Sequence, residues 1–476
     1  MIKLGSQSHP MLRHSRRVHF VGIGGTGMCG IAEVLINLGY EVSGSDIAQS
    51  EAVIRLQGLG AKVVVGHYAN NVEDVDIVVY SSAVTHENVE VAEARKKRIP
   101  LVRRAAMLAE LMRMKYSIAV AGTHGKTTTT SLVASVLAEA DLDPTVVVGG
   151  RLNAIGANAR LGEGEYLVAE ADESDGTFLS LMPAISIVTN IDPEHLEFYG
   201  DFETLKGAFL EFINKVPFYG FSVLCLDHQT IQELIPQIER RFYTYGFGSQ
   251  ADYVGENYSY DNGEAIFSVR HHDKRMGDIH LSIPGRHNAM NALAAVAVAN
   301  ELDVPFDAIQ AGLWDFAGIG RRLEQIGEVN NIVFMDDYGH HPEEIRVTLL
   351  ALKEAWPDRR LVVLFQPHRY SRTVQLGEAF HTAFYDSDVL FLAPIYAAGE
   401  EPIEGVSSET IGEGVRAHGH KFCEEVSDLI DGARRISLEI KSGDLVLTLG
   451  AGDVWKVGKS LLDMEQKKSG RTEKAG

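Results

Sequence analysis

Short apolar runs alternate along the chain with longer segments in which apolar residues recur roughly every three or four positions. The short runs predict buried β-strands and the longer segments predict helices. Strands are predicted at residues 18–21, 41–43, 62–65, 76–80, 145–148, 166–169, 184–188, 332–335, 361–365, 389–393 and 445–449. Because strands and helices alternate, the pattern predicts parallel sheets that are covered by helices on both faces.

Two segments depart from this alternation. Residues 252–283 alternate polar and apolar side chains around Asn262-Gly263, which predicts a small antiparallel appendage with a hairpin turn. Residues 318–322 are typical of a linker. A chain of 476 residues is too long for one hydrophobic core. We therefore expect about three domains, at residues 1–113, 114–319 and 320–476.

The most informative stretch is residues 118–129, where a predicted strand meets a glycine-hinged turn and a helix. Backbone N–H groups and the helix N-terminus would face anionic oxygens, Lys126 would reach the outer phosphates, and the Thr127 hydroxyl would bind Mg²⁺. Val120 stands where the usual phosphate loop begins with glycine, so the loop is short. The alternative is a strand–turn–helix corner without a ligand. The following helix is predicted to be amphipathic, with Leu132, Val133, Val136 and Leu137 on its apolar face.

An earlier glycine-rich turn follows the first predicted strand. Its glycines, Gly22, Gly24 and Gly27, stand at the spacing that lets backbone approach a diphosphate at the start of a helix. Asp46 lies about 20 residues further on, where it suits a ribose or base contact. A nicotinamide cofactor, another nucleotide diphosphate, and a tight turn without a ligand all fit this pattern.

Acidic and imidazole side chains follow two predicted strands of the central region. Glu170 opens an acidic run at residues 170–175, and His195 follows the strand at 184–188. Strand ends of a parallel sheet face one crevice, so we expect Glu170 and His195 to converge on the loop of Lys126. Together they suit a divalent metal. Each residue also has an alternative interpretation when it is considered alone. Glu170 could lie in a solvent-exposed loop, and His195 could make a structural hydrogen bond.

Two further pairs of polar residues, one of asparagines and one of arginines, have a spacing that would let both members contact the same ligand. Asn288 and Asn291 lie one helical turn apart, and from the spacing alone packing is favoured over contact with a purine. Arg369 and Arg372 follow a predicted strand and fit a shared grip on an anion, although a surface arginine pair is the alternative.

Composition narrows the class of protein. The 65 acidic residues outnumber 44 basic residues, giving a formal net charge of -21 that argues against general binding to nucleic acid or membrane surfaces. Cys29, Cys225 and Cys423 stand in no metal spacing and indicate buried or free thiols. No apolar run reaches the roughly 18 residues of a membrane span, and the polar N-terminus is not a signal peptide. We expect a cytoplasmic protein with disorder in its first 15 or so residues and from about Glu465 onward.

Six short motifs follow one another along the chain between about Val18 and Leu462. Their sequences and their order resemble those of the Mur ligase family, and most closely its alanine-adding branch. They are Gly-Ile-Gly-Gly-Thr-Gly-Met at 22–28, Gly-Thr-His-Gly-Lys-Thr-Thr at 122–128, Glu-Ala-Asp-Glu-Ser-Asp at 170–175, His-Asn-Ala-Met-Asn-Ala at 287–292, Asp-Asp-Tyr-Gly-His-His-Pro at 336–342 and His-Arg-Tyr-Ser-Arg-Thr at 368–373.

The resemblance implies an α/β fold of three domains. The first is Rossmann-like and binds UDP-N-acetylmuramate. The second is a P-loop ATPase-type sheet that binds ATP and carries the antiparallel appendage. The third is Rossmann-like, brings L-alanine and closes over the others. ATP would phosphorylate the sugar's lactyl carboxylate, and the alanine amine would attack the acyl phosphate. The enzyme would act in peptidoglycan precursor synthesis as a monomer or homodimer.

The resemblance also implies residue roles. Lys126, Glu170 and His195 would be catalytic. Thr127, Glu170 and His195 would hold Mg²⁺, with Mn²⁺ able to replace it. The other implied positions are Gly22, Gly24, Gly25, Gly27 and Asp46 for the UDP-sugar, Gly122, Thr123, His124, Gly125, Lys126, Thr127, Thr128, Asn288, Asn291, Arg322 and Asp337 for ATP, and Tyr338, His368, Arg369 and Arg372 for the amino acid.

Two rival functions remain at the level of sequence. A murein peptide ligase would add a recycled tripeptide to the same acceptor and shares the phosphate loop, but Tyr338-Gly339 favours a small amino acid. A nicotinamide oxidoreductase would use Asp46 but leaves the loop at 122–127 without a role. Several Mur ligases carry a carbamylated lysine about 15 residues past the metal-binding histidine, where this chain has Phe209-Leu210-Glu211, so no carbamate is expected.

Overall fold

The computed structural model describes residues 16–81, 83–85, 87–152, 157–261, 263–316 and 318–472. Within them lie three separate sheets, one in each predicted region, of five, ten and six strands. The α/β fold class is confirmed. The domain boundaries remain a proposal, because the chain divides into two compact units, residues 1–257 with 267–280 and 290–317, and residues 258–266 with 281–289 and 318–476.

The first sheet is built from alternating strands and helices. Its elements are β1 (Arg17–Val21), α1 (Thr26–Asn37), β2 (Glu41–Asp46), α2 (Glu51–Gly58), β3 (Lys62–Val65), β4 (Ile77–Tyr80), α3 (Val89–Lys96), β5 (Leu101–Arg103) and α4 (Arg104–Met112). All strand pairs are parallel, in the order β3-β2-β1-β4-β5. The order reverses beside β1, and ligands of such sheets bind at the strand ends next to this point. The first glycine loop lies there.

The second sheet contains the phosphate loop. Its elements are β6 (Tyr116–Ala121), α5 (Lys126–Glu139), β7 (Thr145–Leu152), β8 (Ala157–Arg160), β9 (Tyr166–Glu170), β10 (Ile185–Val188), α6 (Leu196–Tyr199), α7 (Phe202–Asn214), β11 (Phe221–Cys225), α8 (Gln229–Leu234), β12 (Phe242–Gly246), β13 (Tyr253–Asp261), β14 (Glu264–His271), β15 (Lys274–Leu281), α9 (Arg286–Glu301) and α10 (Phe306–Trp314). The order is β15-β14-β13-β12-β11-β10-β6-β9-β7-β8. Because β9 and β10 pair in parallel on either side of β6, the segments after all three strands end at one edge.

The predicted appendage is formed by β13, β14 and β15, which are neighbours in this sheet. Strands joined by such short turns run antiparallel. Gly263 has a φ of +90°, as the predicted turn requires, whereas its partner Asn262 lies outside the described residues.

The prediction that α5 is amphipathic is wrong. Its polar residues Thr128, Thr129, Thr130 and Ser131 are buried together with the apolar residues of the predicted face. One contributor is α10, which packs on α5 at Ser135 and Val136. The Ser135 hydroxyl donates to the carbonyl of Gly312 (2.7 Å), and a side chain at Gly312 would lie 2.7 Å from the Val136 backbone. The helix is therefore enclosed on most of its circumference.

The third sheet has an antiparallel edge strand and is otherwise parallel. Its elements are β16 (Glu324–Val329), β17 (Ile332–Asp337), α11 (Pro342–Ala355), β18 (Leu361–Phe365), α12 (Tyr370–Gln375), α13 (Gly377–Phe380), β19 (Val389–Leu392), α14 (Ser408–Ala417), β20 (Cys423–Glu425), α15 (Leu429–Glu439), β21 (Leu445–Leu449) and α16 (Trp455–Thr472). Apolar side chains cover both faces of the sheet in the order β16-β17-β21-β18-β19-β20.

The end of the chain differs from expectation. The predicted disorder from Glu465 is wrong as far as Thr472, because α16 continues to that residue. Glu465 is buried, and Lys468 donates both to Glu465 (2.5 Å) and to the Ser437 hydroxyl of α15 (3.1 Å). Packing of α16 against its neighbours thus offsets a polar sequence. Residues 1–15, where disorder was also predicted, lie outside the described residues.

Two predictions from composition can be compared with the structure. Cys29, Cys225 and Cys423 are buried free thiols. Burial comes first among the causes that raise the pKa of all three, to about 12 for Cys225 and Cys423. Among the described helices, none combines the length and apolar character needed to cross a membrane.

Candidate active site

The loop between β6 and α5 turns at two glycines. Gly122 has a φ of +133° and Gly125 a φ of +81°, which other residues rarely adopt. A side chain on Gly122 would clash with Thr189, and one on Gly125 would lie 2.7 Å from Asn291 Oδ1. Both positions therefore need glycine, because of backbone angle and because of what packs on them.

The segment after β10 braces the loop from one side. The N–H of Thr123 donates to the carbonyl of Asn190 (3.2 Å), and that of His124 to Asn190 Oδ1 (2.7 Å). The Thr189 hydroxyl donates to the carbonyl of His124 (2.6 Å), and the N–H of Asp192 donates to the Thr123 hydroxyl (2.8 Å). Thr123 and His124 of the loop are thus tied to the segment after β10 by four hydrogen bonds.

Lys126, the first residue of α5, points back into the loop. Its ammonium donates to the carbonyl oxygens of Gly122 (2.6 Å) and Thr123 (3.2 Å) and to Glu173 Oε1 (2.8 Å). Burial lowers the pKa of Lys126, but the carboxylates of Glu173, Asp172 and Glu170 outweigh it, so the net shift is upward. The lysine is therefore a fixed positive charge in the loop.

The acidic run after β9 supplies these carboxylates. Glu173 is 2% exposed, and burial raises its pKa. Burial also opposes ionisation of Asp172, but Lys126 and Arg104 outweigh it and lower its pKa to about 2. Two of the three carboxylates were not singled out by the sequence, where only Glu170 was named. Glu170 also raises the pKa of Lys126, so the acidic run lies beside the loop.

His195 also reaches this cluster. It has a φ of +57°, and its Nε2 lies 3.6 Å from Glu194 Oε2 and 4.0 Å from Glu173 Oε1. Its Nδ1 lies 3.7 Å from Glu197 Oε1. The imidazole and the acidic run thus lie on the same edge of the sheet as the loop, as the strand order requires.

The donor set around Lys126 fits a divalent cation. Three carboxylates face one ammonium, so the local charge is negative before any phosphate enters. Carboxylate and hydroxyl oxygens are ligands that Mg²⁺ prefers, and imidazole is a ligand that Mn²⁺ also accepts. Thr127 in the first turn of α5, Glu170 and His195 remain the predicted ligands.

The two asparagines of α9 are both buried. Asn291 Oδ1 lies 2.7 Å from the position that a Cβ on Gly125 of the phosphate loop would occupy. Asn288 Nδ2 donates to the carbonyl of Pro284 (2.7 Å). The contact of Asn291 with the loop agrees with a place in the nucleotide site, whereas the contact of Asn288 is one of local packing.

The first glycine loop is held differently. A side chain on Gly24 would lie 2.9 Å from Asp46 Oδ2, which accepts the Gly24 N–H (2.8 Å). A side chain on Gly27 would clash with the guanidinium of Arg104. Gly22, with a φ of +77°, is the only one of the motif's three glycines in the left-handed region, and Gly25 caps α1. Asp46 thus shapes the loop itself.

Arg104 connects the first sheet to the acidic run. Its Nη2 donates to Asp172 Oδ2 (2.9 Å), while Nη1 lies on Gly27. Asp172 and Glu173 are adjacent, so one acidic turn pairs with Lys126 of the second loop and with Arg104 of α4, which lies against the first loop. Arg104 was not singled out from the sequence, because arginine at a helix start carries no motif.

In the third region, Asp337 ends β17 and is buried. It accepts the N–H groups of Leu323 (2.8 Å) and Gly339 (2.7 Å). Burial raises its pKa to about 6, against the opposing effect of Arg322. The guanidinium carbons of Arg321 and Arg322 lie 5.0 and 5.3 Å from the Tyr338 ring centroid. These contacts support the turn after β17.

The residues after β18 form a small aromatic group in the same region. His368 stacks on Tyr396 with ring centroids 5.5 Å apart, and His340 lies 5.8 Å from His368. Burial, His340 and Arg372 lower the pKa of His368 to about 4, so its ring is neutral at neutral pH. Arg372 donates to the carbonyl of His368 (3.2 Å), and the exposed Arg369 has a φ of +74°. The two arginines therefore differ in setting.

Comparison with known proteins supports one family. Residues 17–116 match the model of the Mur ligase family catalytic domain, residues 120–299 the Mur ligase middle domain, and residues 321–452 the Mur ligase glutamate ligase domain.

Relatives extend over almost the whole chain. A UDP-N-acetylmuramate–L-alanine ligase of Geobacter sulfurreducens is 56% identical over 94% of this chain and 97% of its own length. The crystal structure of the UDP-N-acetylmuramate-alanine ligase of Thermotoga maritima aligns with a TM-score of 0.82 at 30% identity, covering 95% of this chain and 99% of that one. A murein peptide ligase of Psychrobacter arcticus aligns with a TM-score of 0.70 at 25% identity, covering 94% and 98%. The chain belongs to the Mur ligase family.

Proposed function

We propose that the chain is an ATP-dependent ligase that joins L-alanine to the lactyl carboxylate of UDP-N-acetylmuramate. The products are UDP-N-acetylmuramoyl-L-alanine, ADP and phosphate, and the reaction belongs to peptidoglycan precursor synthesis. The observation that carries this function is the 56% identity, over 94% of the chain, to a relative of that name. We also propose a cytoplasmic location, which fits the buried free thiols.

The chemistry needs activation of the carboxylate. A carboxylate does not form an amide with an amine at neutral pH, so the γ-phosphoryl group of ATP is first transferred to one lactyl oxygen. The amine of alanine then attacks the acyl carbon, the carbon–oxygen bond to phosphate breaks, and inorganic phosphate leaves with that oxygen. Both steps need positioning and neutralisation of charge more than a protein nucleophile.

The phosphate loop supplies these requirements in the proposal. Backbone N–H groups of residues 122–128 and the start of α5 would surround the phosphates, and Lys126 would stabilise charge on the γ-phosphate. Thr127, Glu170 and His195 would hold Mg²⁺, which neutralises phosphate charge when bound. His195 would then be occupied as a metal ligand, which makes it a poor acceptor for the amine's proton.

The other two regions would bring the acceptor and the amino acid. The first glycine loop, with Gly22, Gly24, Gly25, Gly27 and Asp46, would bind the diphosphate of the UDP-sugar. Arg322 and Asp337 would contribute to the binding of ATP. Tyr338, His368, Arg369 and Arg372 would bind alanine, with an arginine on its carboxylate. A neutral His368 suits this place, because it adds no charge beside the incoming ammonium.

The test is phosphate release from ATP and Mg²⁺ by the full chain. We expect release only when UDP-N-acetylmuramate and L-alanine are both present. Release with L-alanyl-γ-D-glutamyl-meso-diaminopimelate, but not with L-alanine, would move the chain to the murein peptide ligases. No release with either amine from a folded protein would contradict the proposal.

A further inference from the structure

All three donors of Lys126 are used by the protein itself. A lysine ammonium has three N–H donors, and here two meet loop carbonyls and the third meets Glu173 Oε1 at 2.8 Å. A phosphate oxygen that binds Lys126 must therefore replace or share one of these acceptors. Of the three, only the Glu173 carboxylate carries a full negative charge and belongs to a side chain that can turn.

Glu173 is held in an unusual setting for a carboxylate. Its backbone is fixed, because its carbonyl accepts both the Tyr199 hydroxyl (2.5 Å) and the N–H of Gly176 (3.0 Å). Its side chain is 2% exposed, and within the described part of the chain Oε2 has no hydrogen-bond partner. A buried carboxylate with one partner and one unmade hydrogen bond is costly. Local stability therefore does not explain why a carboxylate stands here.

We propose that Glu173 is the positioning residue for Lys126. It holds the ammonium in the loop while no nucleotide is bound, and it gives up one of the three N–H donors of Lys126 when a phosphate oxygen of the nucleotide arrives. The proposal deepens the proposed function, because it concerns the lysine of the same nucleotide site. Glu173 then competes with nucleotide for Lys126, but it also keeps the lysine in the geometry that phosphoryl transfer requires.

The two effects have opposite signs, and this separates the proposal from a structural role. Without the Glu173 carboxylate, nucleotide meets a lysine that has lost the one carboxylate hydrogen-bonded to its ammonium, so affinity rises. Turnover falls, because the lysine is no longer held in position. A carboxylate that only supported the loop would lower stability, affinity and turnover together when removed.

The main experiment compares Glu173→Gln with the natural chain. Calorimetric titration with ADP and Mg²⁺, without acceptor or amino acid, is expected to give affinity about tenfold higher in the variant, while kcat of phosphate release is expected to fall about tenfold. Because ADP binding is measured alone, the result stands or fails independently of the identity of the amino acid. Equal or weaker ADP affinity in a folded Glu173→Gln variant would overturn the proposal.

Two further variants complete the test. Glu173→Asp keeps the charge but shortens the side chain, so we expect ADP affinity within about twofold of the natural chain and kcat reduced at least fivefold. If Glu173→Gln does not fold, this variant decides, and unchanged kcat or parallel losses in both quantities would overturn the proposal. Glu139→Gln is the matched control. Glu139 is exposed at the other end of α5, about 20 Å along the helix, and both quantities are expected to stay unchanged.

Discussion

The two glycine loops share a backbone arrangement, a glycine-rich turn between a strand and a helix, but different side chains pack on their glycines. Each follows a parallel strand and opens a helix, at the edge where strand order reverses. In the first loop, charged side chains of the protein lie on the glycines, with Asp46 at Gly24 and Arg104 at Gly27. In the second, neutral side chains do so, with Thr189 at Gly122 and Asn291 at Gly125.

The difference lies in where the charge is available. The second loop contains a buried lysine faced by three carboxylates, whereas Arg104, the cation that lies against Gly27 of the first loop, is paired with Asp172 of the acidic run. Positioned charge of this kind is what phosphoryl transfer needs, while a glycine loop at a helix start is sufficient for binding a diphosphate. In the proposed function, the second loop therefore takes part in phosphoryl transfer, and the first loop binds the diphosphate of the UDP-sugar.

Two buried glutamates show the same contrast. Glu90 lies behind the first sheet and accepts the Ser45 hydroxyl (2.5 Å), the Asn71 amide and the Tyr68 N–H (3.4 Å), with His67 Nδ1 at 3.0 Å. Glu173 has Lys126 as its cationic partner and leaves Oε2 without a hydrogen bond among the described residues. A buried carboxylate whose two oxygens are both hydrogen-bonded stabilises the fold, whereas one with an oxygen that lacks a hydrogen bond can still interact with groups in a binding site.

The largest expected effect is that of Lys126→Met. We expect phosphate release to fall by about 10³-fold, because the charge on the transferred phosphoryl group loses its fixed counter-charge. Binding of UDP to the first loop should change less than twofold, measured by calorimetry. Lys62→Met, on the exposed end of β3, is the control and should alter neither quantity. If Lys126→Met lowered UDP binding as strongly as phosphate release, the proposed difference in function between the two loops would be wrong.

Alanine at one glycine of each loop compares them directly. Gly122→Ala places a Cβ against Thr189 at a φ of +133°, so we expect ADP affinity to fall at least about 100-fold. Gly27→Ala meets the end of the flexible Arg104 side chain at an ordinary φ, so UDP affinity should fall less than about tenfold. Equal losses at the two positions would show that the loops are constrained alike.

Glu90→Gln tests whether the fully hydrogen-bonded carboxylate of Glu90 stabilises the fold. We expect it to lower the free energy of unfolding by about 3 kcal/mol, because buried donors lose their anionic acceptor. Burial opposes ionisation of Glu90, but His19, Ser45 and Asn71 lower its pKa from 4.5 to about 2. A lowered pKa in the folded state stabilises the fold above the unfolded pKa. The difference between variant and natural chain should therefore be complete above about pH 4.5 and shrink toward pH 2.

Urea unfolding at several pH values measures this difference, and phosphate release at low temperature provides the second readout. Glu93→Gln, also on α3 but in a surface ion pair, is the control and should cost less than about 1 kcal/mol. Loss of kcat in folded Glu90→Gln, with stability unchanged, would contradict the structural role.

The smallest expected effect is that of Asp46→Asn. The Gly24 N–H then loses a charged acceptor, so the first loop becomes less ordered and UDP affinity should fall about threefold to tenfold. ADP affinity should stay within twofold of the natural value. A drop in ADP affinity as large as the drop in UDP affinity would show that Asp46 acts on both loops.

The sequence predicts the elements of this fold well, because strand runs and glycine turns are local signals. The strands at 18–21, 62–65 and 361–365 lie where the pattern places them. The surroundings of α5 and the ordered α16 were not predictable, because burial by α10 and packing against α15 come from distant parts of the chain.

The site was predictable only where a residue stands in a motif. Lys126, Glu170 and His195 were singled out from loop spacing and strand ends. In the structure the acidic run faces Lys126, and His195 Nε2 lies 4.0 Å from Glu173 Oε1 of that run. Arg104, Asn190 and Glu173 were missed, because their roles depend on contacts across 68, 66 and 47 residues of sequence. Glu173 stood in a quoted motif, but spacing alone does not reveal which carboxylate of a run meets the lysine.

The most direct test follows one oxygen atom. UDP-N-acetylmuramate labelled with ¹⁸O at both oxygens of its lactyl carboxylate is incubated with ATP, Mg²⁺, L-alanine and the full chain, and the inorganic phosphate is analysed by mass spectrometry. If the second loop transfers the γ-phosphoryl group to the carboxylate, each phosphate released carries one ¹⁸O atom. Phosphate without label, formed while the amide accumulates, would contradict the account.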